Sequence, residues 1–375
     1  MEEFNKFIKI AFIIDVMRKG GGAQKILLII LQILARNGIQ AKLIVLKKTQ
    51  NLIDLTDLDV EFILNDEACK LSENAFLIVD RIVKSTRECD LLVSFMDFIT
   101  SYFVALSAKM LGKPYDIFVR CEPSFVADTF PQTEVNRLLY KMCFEGARKI
   151  VCNSKSSCED VISNFKIPKD KVFLLYNPIG FEKHQVSILD DYFREIVETR
   201  QEGEIFCFAV GRLNAQKNYK ILLEAFSLIQ KKELPIKLFV LGEGEQRQEL
   251  EQFIEKNNLN NVFLLGYKEN VNDYLKYADI VVHAALFEGF PNVVLEVASL
   301  KKTLVLSDIK PHKEIFNENN AMFFRTDNAL ELLDCLISVF DVSKREILAK
   351  RAFNAVSQFS KENFERKLLN VLVKG

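Results

Sequence analysis

Residues 279–296 read Asp279-Ile280-Val281-Val282-His283-Ala284-Ala285-Leu286-Phe287-Glu288-Gly289-Phe290-Pro291-Asn292-Val293-Val294-Leu295-Glu296. The first seven form a β-type run, and Val-Val-Leu-Glu-Val-Ala-Ser from position 293 suits a helix. Gly289 and Pro291 punctuate the passage between them. A turn at the carboxyl end of a strand is where open α/β sheets bind ligands. The amides from Phe290 to Val293 are expected to face an anion at the helix N-terminus. Glu288 and Glu296 bracket that turn. Two carboxylates with an amide nest between them suit a ligand with hydroxyls on both sides of a phosphate, which describes a sugar nucleotide.

The same alternation extends outward. Short β-rich runs occur at 7–15, 41–48, 90–96, 115–121, 149–154 and 172–177, with helical patterns at 23–37, 98–111, 133–146 and 155–165. Strands such as Ile10-Ala11-Phe12-Ile13-Ile14 are apolar throughout, as in parallel sheets covered on both faces. After Asn177-Pro178 the chain turns charged and irregular until 203, and then the alternation restarts at 204–211. Further strands are expected at 236–241, 262–266, 279–285 and 303–307. At 375 residues the chain exceeds one compact core. The expected fold is α/β, with two Rossmann-like doubly wound parallel-sheet domains: residues 1–178, a linker region at 179–203, and 204–375. The pattern leaves open which domain the last helical stretch, 343–373, packs against.

Apolar residues make up 49% and charged residues 27%, the balance of a folded soluble protein. A net charge of −1 argues against a dedicated nucleic-acid binder. The eight cysteines form no CxxC pair and read as small buried hydrophobes in a reducing compartment. The acidic first residues do not make a signal peptide. The longest apolar run, 26–35, is too short for a bilayer of about 30 Å. The expected location is cytoplasmic, with at most peripheral membrane contact.

Two further loops carry chemistry. Lys19-Gly20-Gly21-Gly22-Ala23-Gln24 follows the first strand, where glycines let a ligand approach the backbone and the next helix offers its amides. It is not GxGxxG, and no acidic residue ends the next strand, so NAD binding is not expected. The plain alternative is a flexible turn into a buried helix. Gly211-Arg212-Leu213-Asn214-Ala215-Gln216-Lys217-Asn218 follows the first strand of the second half. Arg212 supplies a planar fork and Lys217 a point charge, a pairing suited to a diphosphate without a metal. Two basic residues on a loop otherwise make an ordinary solvated surface.

In this order the motifs resemble the retaining glycosyltransferases of family four, which have the GT-B architecture of two Rossmann-like domains and an interdomain cleft. The likeness runs through Gly20-Gly21-Gly22-Ala23-Gln24, Cys152-Asn153-Ser154-Lys155 and Asn177-Pro178-Ile179. It continues in Gly211-Arg212-Leu213 with Lys217-Asn218, Leu241-Gly242-Glu243-Gly244, Leu265-Gly266-Tyr267, and Glu288-Gly289-Phe290-Pro291-Asn292 with Glu296. The resemblance implies that Arg212 and Lys217 hold the donor diphosphate and that Glu296 chelates the ribose. Glu288 would contact the donor sugar, and the backbone of Gly289, Phe290, Pro291 and Asn292 would seat sugar and phosphate. Gly21 and Gly22 would line the cleft from the N-terminal side. It also implies front-face transfer from a UDP-sugar co-substrate to a glycan or lipid-linked acceptor, with neither cofactor nor metal. The alternatives are a GT-B sugar-nucleotide epimerase or a catalytically silent nucleotide-sugar-binding scaffold.

Some residues depart from that pattern or stand beside it. Many relatives place a histidine in the N-terminal domain near the sugar, but the three histidines here are at 184, 283 and 312. Arg120-Cys121-Glu122-Pro123-Ser124 falls in that region, and Arg120 and Glu122 either act on the acceptor or sugar side or pair with each other. Leu300-Lys301-Lys302-Thr303 stands where the family has Gly-x-Pro. Asp57-Leu58-Asp59 reads as a surface turn, His283 as a satisfied core histidine in mid-strand, and His312 as a residue at another strand end, a position from which it could line the cleft. Arg137, Lys141 and Arg148 form a basic face that either meets anionic lipid or is the solvated side of a packed helix.

Overall fold

The computed structural model describes residues 9–96, 98–129, 131–179 and 189–373. His184, residues 180–188 of the expected linker and the first two residues of the first expected strand lie outside them. The chain divides into two compact units, Met1–Pro178 with Ser360–Gly375, and Ile179–Phe359.

The first unit runs β1 (Lys9–Val16), α1 (Gly22–Arg36), β2 (Gln40–Lys47), β3 (Asp59–Leu64), α2 (Ala75–Ser85), β4 (Leu91–Ser94), α3 (Ile99–Leu111) and β5 (Tyr115–Val119). It continues through α4 (Pro123–Thr129), α5 (Thr133–Gly146), β6 (Lys149–Cys152), α6 (Lys155–Asn164) and β7 (Val172–Leu174). All seven strands are parallel in the order β3-β2-β1-β4-β5-β6-β7. Side chains alternate between the two faces, which explains the unbroken apolar strands. Ile10, Phe12 and Ile14 join the α1 core, while Ala11 and Ile13 join the core under α2, α3 and α5.

Arg148 follows α5 and turns inward, holding the fully buried Asp116 carboxylate through Nε at 2.9 Å and Nη2 at 2.6 Å. Arg137 grips Asp128 in the same bidentate way, and Lys141 lies 3.8 Å from Glu145. The expected basic face is therefore neutralised by carboxylates. Beside the exposed Lys109, Glu134 and Glu145, α3 and α5 also leave large apolar side chains exposed: Leu106, Met110, Val135, Leu138 and Met142. No helix among the described residues is long and apolar enough to cross a membrane.

The second unit begins with α7 (Asp191–Glu198), which lies in the stretch expected to be irregular. Asp190 caps it through a bond from the Phe193 amide at 2.8 Å, and Phe193 is buried against Phe208, Phe239, Tyr274 and Tyr277. Then come β8 (Ile205–Val210), α8 (Tyr219–Lys231), β9 (Ile236–Leu241), α9 (Arg247–Lys256), β10 (Val262–Gly266), α10 (Val271–Leu275) and β11 (Ile280–His283). The unit closes with α11 (Asn292–Ser299), β12 (Thr303–Ser307), α12 (Lys310–Lys313), β13 (Met322–Phe324), α13 (Ala329–Ser338) and α14 (Val342–Val356). Its six strands are parallel in the order β10-β9-β8-β11-β12-β13.

The last helix, α15 (Lys361–Leu372), belongs to the first unit. Phe364, Leu368 and Leu372 enter the core beneath α1. Asn37 Nδ2 donates to Glu365 Oε1 at 2.8 Å, and Lys149 Nζ donates to the Val371 carbonyl at 2.7 Å.

Candidate active site

In the second sheet the chain order reverses between neighbouring β8 and β11, a switch point at whose carboxyl edge ligand crevices form. The loops that follow β8, β11 and β12 all emerge at that edge because the strands are parallel. The loops after β8 and β9 cross in close contact. Gly211 N donates to Leu241 O at 3.0 Å, and Leu213 N to Glu243 O at 2.9 Å. A Cβ on Gly242 would lie 1.8 Å from the Gly211 carbonyl oxygen, so only glycine fits.

Beyond Gly211 a 3₁₀ turn, Ala215–Lys217, is capped by Asn214, whose Oδ1 accepts from the Lys217 amide at 3.2 Å. Two bonds tie this turn to the loop after β11. Leu286 N donates to Gln216 O at 2.8 Å, and Gln216 Nε2 donates to Phe287 O at 2.9 Å. The tie brings the Lys217 ammonium onto the Glu288 carboxylate, with both side chains largely buried. These two expected site residues, far apart in sequence, are neighbours.

His283 completes the cluster. Its Nε2 is 3.3 Å from Lys217 Nζ and 3.5 Å from Glu288 Oε1, and its Nδ1 is 3.0 Å from His312 Nε2. His312 Nδ1 reaches the Ser307 carbonyl at 2.7 Å. Burial pushes both imidazoles toward the neutral form, with the Lys217 charge adding to it; His312 falls to about 4 and His283 well below its usual value. The residue read as a mid-strand core histidine is in fact the last of β11, which places it at the ligand-binding edge. His312 sits in α12, just past the end of β12.

The turn before α11 offers fewer amides than its sequence promised. Pro291 has no N–H, and the Asn292 amide bonds to Phe290 O at 2.9 Å. The amides of Gly289 and Val293 make no hydrogen bond among the described residues. Phe290 is an apolar anchor, buried edge-on against Phe359 with 5.7 Å between ring centroids. Glu296 lies on the second turn of α11, partly buried. Arg212 is exposed, and its guanidinium makes no ion pair or hydrogen bond among the described residues.

The remaining expected residues lie in the first unit, and each is placed within it. Gly21 precedes α1 and Gly22 opens it; the helix has no side-chain cap and no acidic residue in its first turn. Gln24 folds back over Gly21 and donates to the Val16 carbonyl at 3.0 Å. Arg120 stacks 4.3 Å over the Phe95 ring and donates to Asn177 Oδ1 at 3.0 Å. Glu122 directly precedes α4 and is half-buried.

Comparison with known proteins follows the same lines. Residues 193–354 match the family described as "Glycosyl transferases group 1". Across 94% of its length the chain is 26% identical to 96% of the Campylobacter jejuni N-acetylgalactosamine-N,N'-diacetylbacillosaminyl-diphospho-undecaprenol 4-alpha-N-acetylgalactosaminyltransferase. It is 24% identical, over 67% of its length and 66% of the relative's, to the Escherichia coli UDP-Gal:alpha-D-GlcNAc-diphosphoundecaprenol alpha-1,3-galactosyltransferase. In fold it is similar to Anabaena HepE, solved in complex with UDP and glucose. That match has a TM-score of 0.82 at 20% identity and covers 98% of this chain and all of the other.

Proposed function

We propose, from the premise that this chain is a group 1 glycosyltransferase with the GT-B fold, that it transfers a sugar from UDP to a lipid-linked or polysaccharide acceptor with retention of configuration. The observation that carries the reading is the placement of Lys217 and Glu288 on adjoining loops at the β8/β11 switch point. An ammonium has three N–H donors. Glu288 and His283 take two of them, and the third remains for a diphosphate oxygen. Arg212 supplies an uncommitted guanidinium fork two strand-loop residues from the end of β8.

In the reaction the bond from the sugar C1 to the β-phosphate oxygen breaks, and the acceptor oxygen bonds to C1 on the same face. The acceptor proton passes to the departing phosphate oxygen, so no protein base is required. Lys217 and Arg212 neutralise the charge that develops on the leaving diphosphate. Glu288 keeps Lys217 in place with Oε1 and offers its other oxygen to a sugar hydroxyl, while Glu296 takes the ribose hydroxyls and the Gly289 and Val293 amides take what lies between. For Gly21, Gly22, Arg120 and Glu122 a role on the acceptor or sugar side rests on the family resemblance alone.

The activities of the Campylobacter and E. coli relatives, both on diphospho-undecaprenol-linked sugars, support a lipid-linked acceptor. The exposed Leu106, Met110, Leu138 and Met142 support peripheral contact with the membrane that would hold it. A panel of nucleotide sugars, scored by release of the nucleoside diphosphate with wild type and Lys217→Ala, tests the function. Release from a UDP-sugar that is lost in the variant is expected. Absence of release or of any thermal shift with every donor would sink the reading.

A further inference from the structure

We propose that His283 is a positioning residue: its bare Nε2 fixes the direction of the Lys217 ammonium, and His312 fixes the tautomer that makes this so. The inference rests on the reading of Lys217 as a diphosphate ligand and extends it to His283 and His312.

The hydrogen-bond directions follow from one group that cannot donate. The Ser307 carbonyl only accepts, so His312 Nδ1, 2.7 Å away, carries the proton. The Ser307 hydroxyl donates to Ala285 O at 2.6 Å and leaves that assignment intact. A neutral imidazole with Nδ1 protonated has a bare Nε2. His283 Nδ1, 3.0 Å from that nitrogen, must then be the donor, and His283 Nε2 is bare in turn. A bare Nε2 accepts from the Lys217 ammonium at 3.3 Å, which itself can only donate. One consistent chain results, from Lys217 to His283 to His312 to the backbone of Ser307.

The chain restrains the lysine in a way Glu288 cannot do alone. One carboxylate contact leaves a flexible four-carbon side chain free to rotate about it. A second acceptor, on a ring held from behind by His312, fixes two N–H directions and hence the third. The charged and titratable groups facing His283 are Lys217 from the 3₁₀ turn, Glu288 from the loop after β11, and His312 from α12. A proton on His283 Nε2 would turn the acceptor into a donor aimed at a cation. Burial of both rings keeps that proton away at neutral pH.

The test has two arms. The chain holds three histidines, so long-range 1H–15N correlation on protein labelled at the imidazoles resolves them with few signals. Two are expected as Nδ1–H tautomers with bare Nε2, unchanged from pH 7 down to about pH 5.5. An Nε2–H tautomer at His283 or His312, or titration at an ordinary histidine pKa, overturns the proposal even if no sugar nucleotide is turned over. The second arm compares His283→Gln, whose amide oxygen reaches toward Lys217, with His283→Asn, which reaches only His312. Asn should lower kcat for donor turnover by about tenfold or more, the scale of one hydrogen bond to a charged group. Gln should stay within roughly threefold of wild type, and the two variants should melt alike. Equal activity in the two variants contradicts the positioning role. Tautomers as expected in a protein that turns over no donor would leave His283 in place and reject the transferase reading instead.

Discussion

Lys217 and Glu288, 71 residues apart, meet as an ion pair between the loops that follow two neighbouring strands. Neither loop alone makes the site. The Gln216 bonds to Leu286 and Phe287 set the loops side by side, and the pair forms inside that frame. A partly buried pair of this kind is screened less by salt than a surface one.

Glu288→Gln keeps a side chain of the same shape but removes the charge that restrains Lys217. Donor kcat/KM should fall by about tenfold or more, as expected for a hydrogen bond to a charged group. Release of nucleoside diphosphate at two ionic strengths measures it. Full activity in this variant would mean the carboxylate neither restrains the lysine nor meets the sugar.

Gly242→Ala forces a methyl group against the Gly211 carbonyl, only 1.8 Å from the ideal Cβ position. The crossing of the two loops must open. The second unit should lose about 2 kcal/mol or more in urea unfolding, within the range for overpacking, and nucleotide binding should weaken with it.

Burial disfavours the charged form of His312 and pushes its pKa down to about 4 from an ordinary 6.5. Between those values the unfolded chain binds more protons than the folded one. The stability contribution is therefore complete above pH 6.5 and is lost as pH falls toward 4. The span corresponds to a loss on the order of 3 kcal/mol, with His283 acting in the same direction. Urea midpoints of wild type and His312→Gln between pH 7 and 4.5 check it: the variant should show a flatter pH dependence.

Arg137, Lys141 and Arg148 are each matched by a carboxylate, while Leu138 and Met142 stay exposed on α5. Flotation with vesicles should accordingly show binding that needs no anionic lipid. The double variant Leu138→Glu/Met142→Glu should abolish it. Binding only to anionic vesicles would restore the basic-face reading.

The sheets were legible because strands covered on both faces must be apolar throughout, and Ile236–Leu241, Val262–Gly266 and Thr303–Ser307 match their expected bounds. α7 escaped notice because eight residues in a charged stretch bury a single side chain, Phe193. The pairing of Arg137 with Asp128 joins two helices and leaves no periodic trace. At the site, loop position after a strand was enough to single out Lys217 and Glu288. His283 was missed because its neighbours read as strand to Ala285, whereas the strand ends at His283 itself. The amide nest was overcounted because Pro291 carries no N–H and the Asn292 amide is used within the turn.

Calorimetric titration of UDP into wild type, Lys217→Met and Arg212→Met tests the donor diphosphate site most directly. Saturable binding by wild type is predicted, weakened by about tenfold or more in each variant, as for loss of a charged hydrogen bond. Equal affinity in all three proteins would contradict the assignment of the β8/β11 edge as the donor diphosphate site.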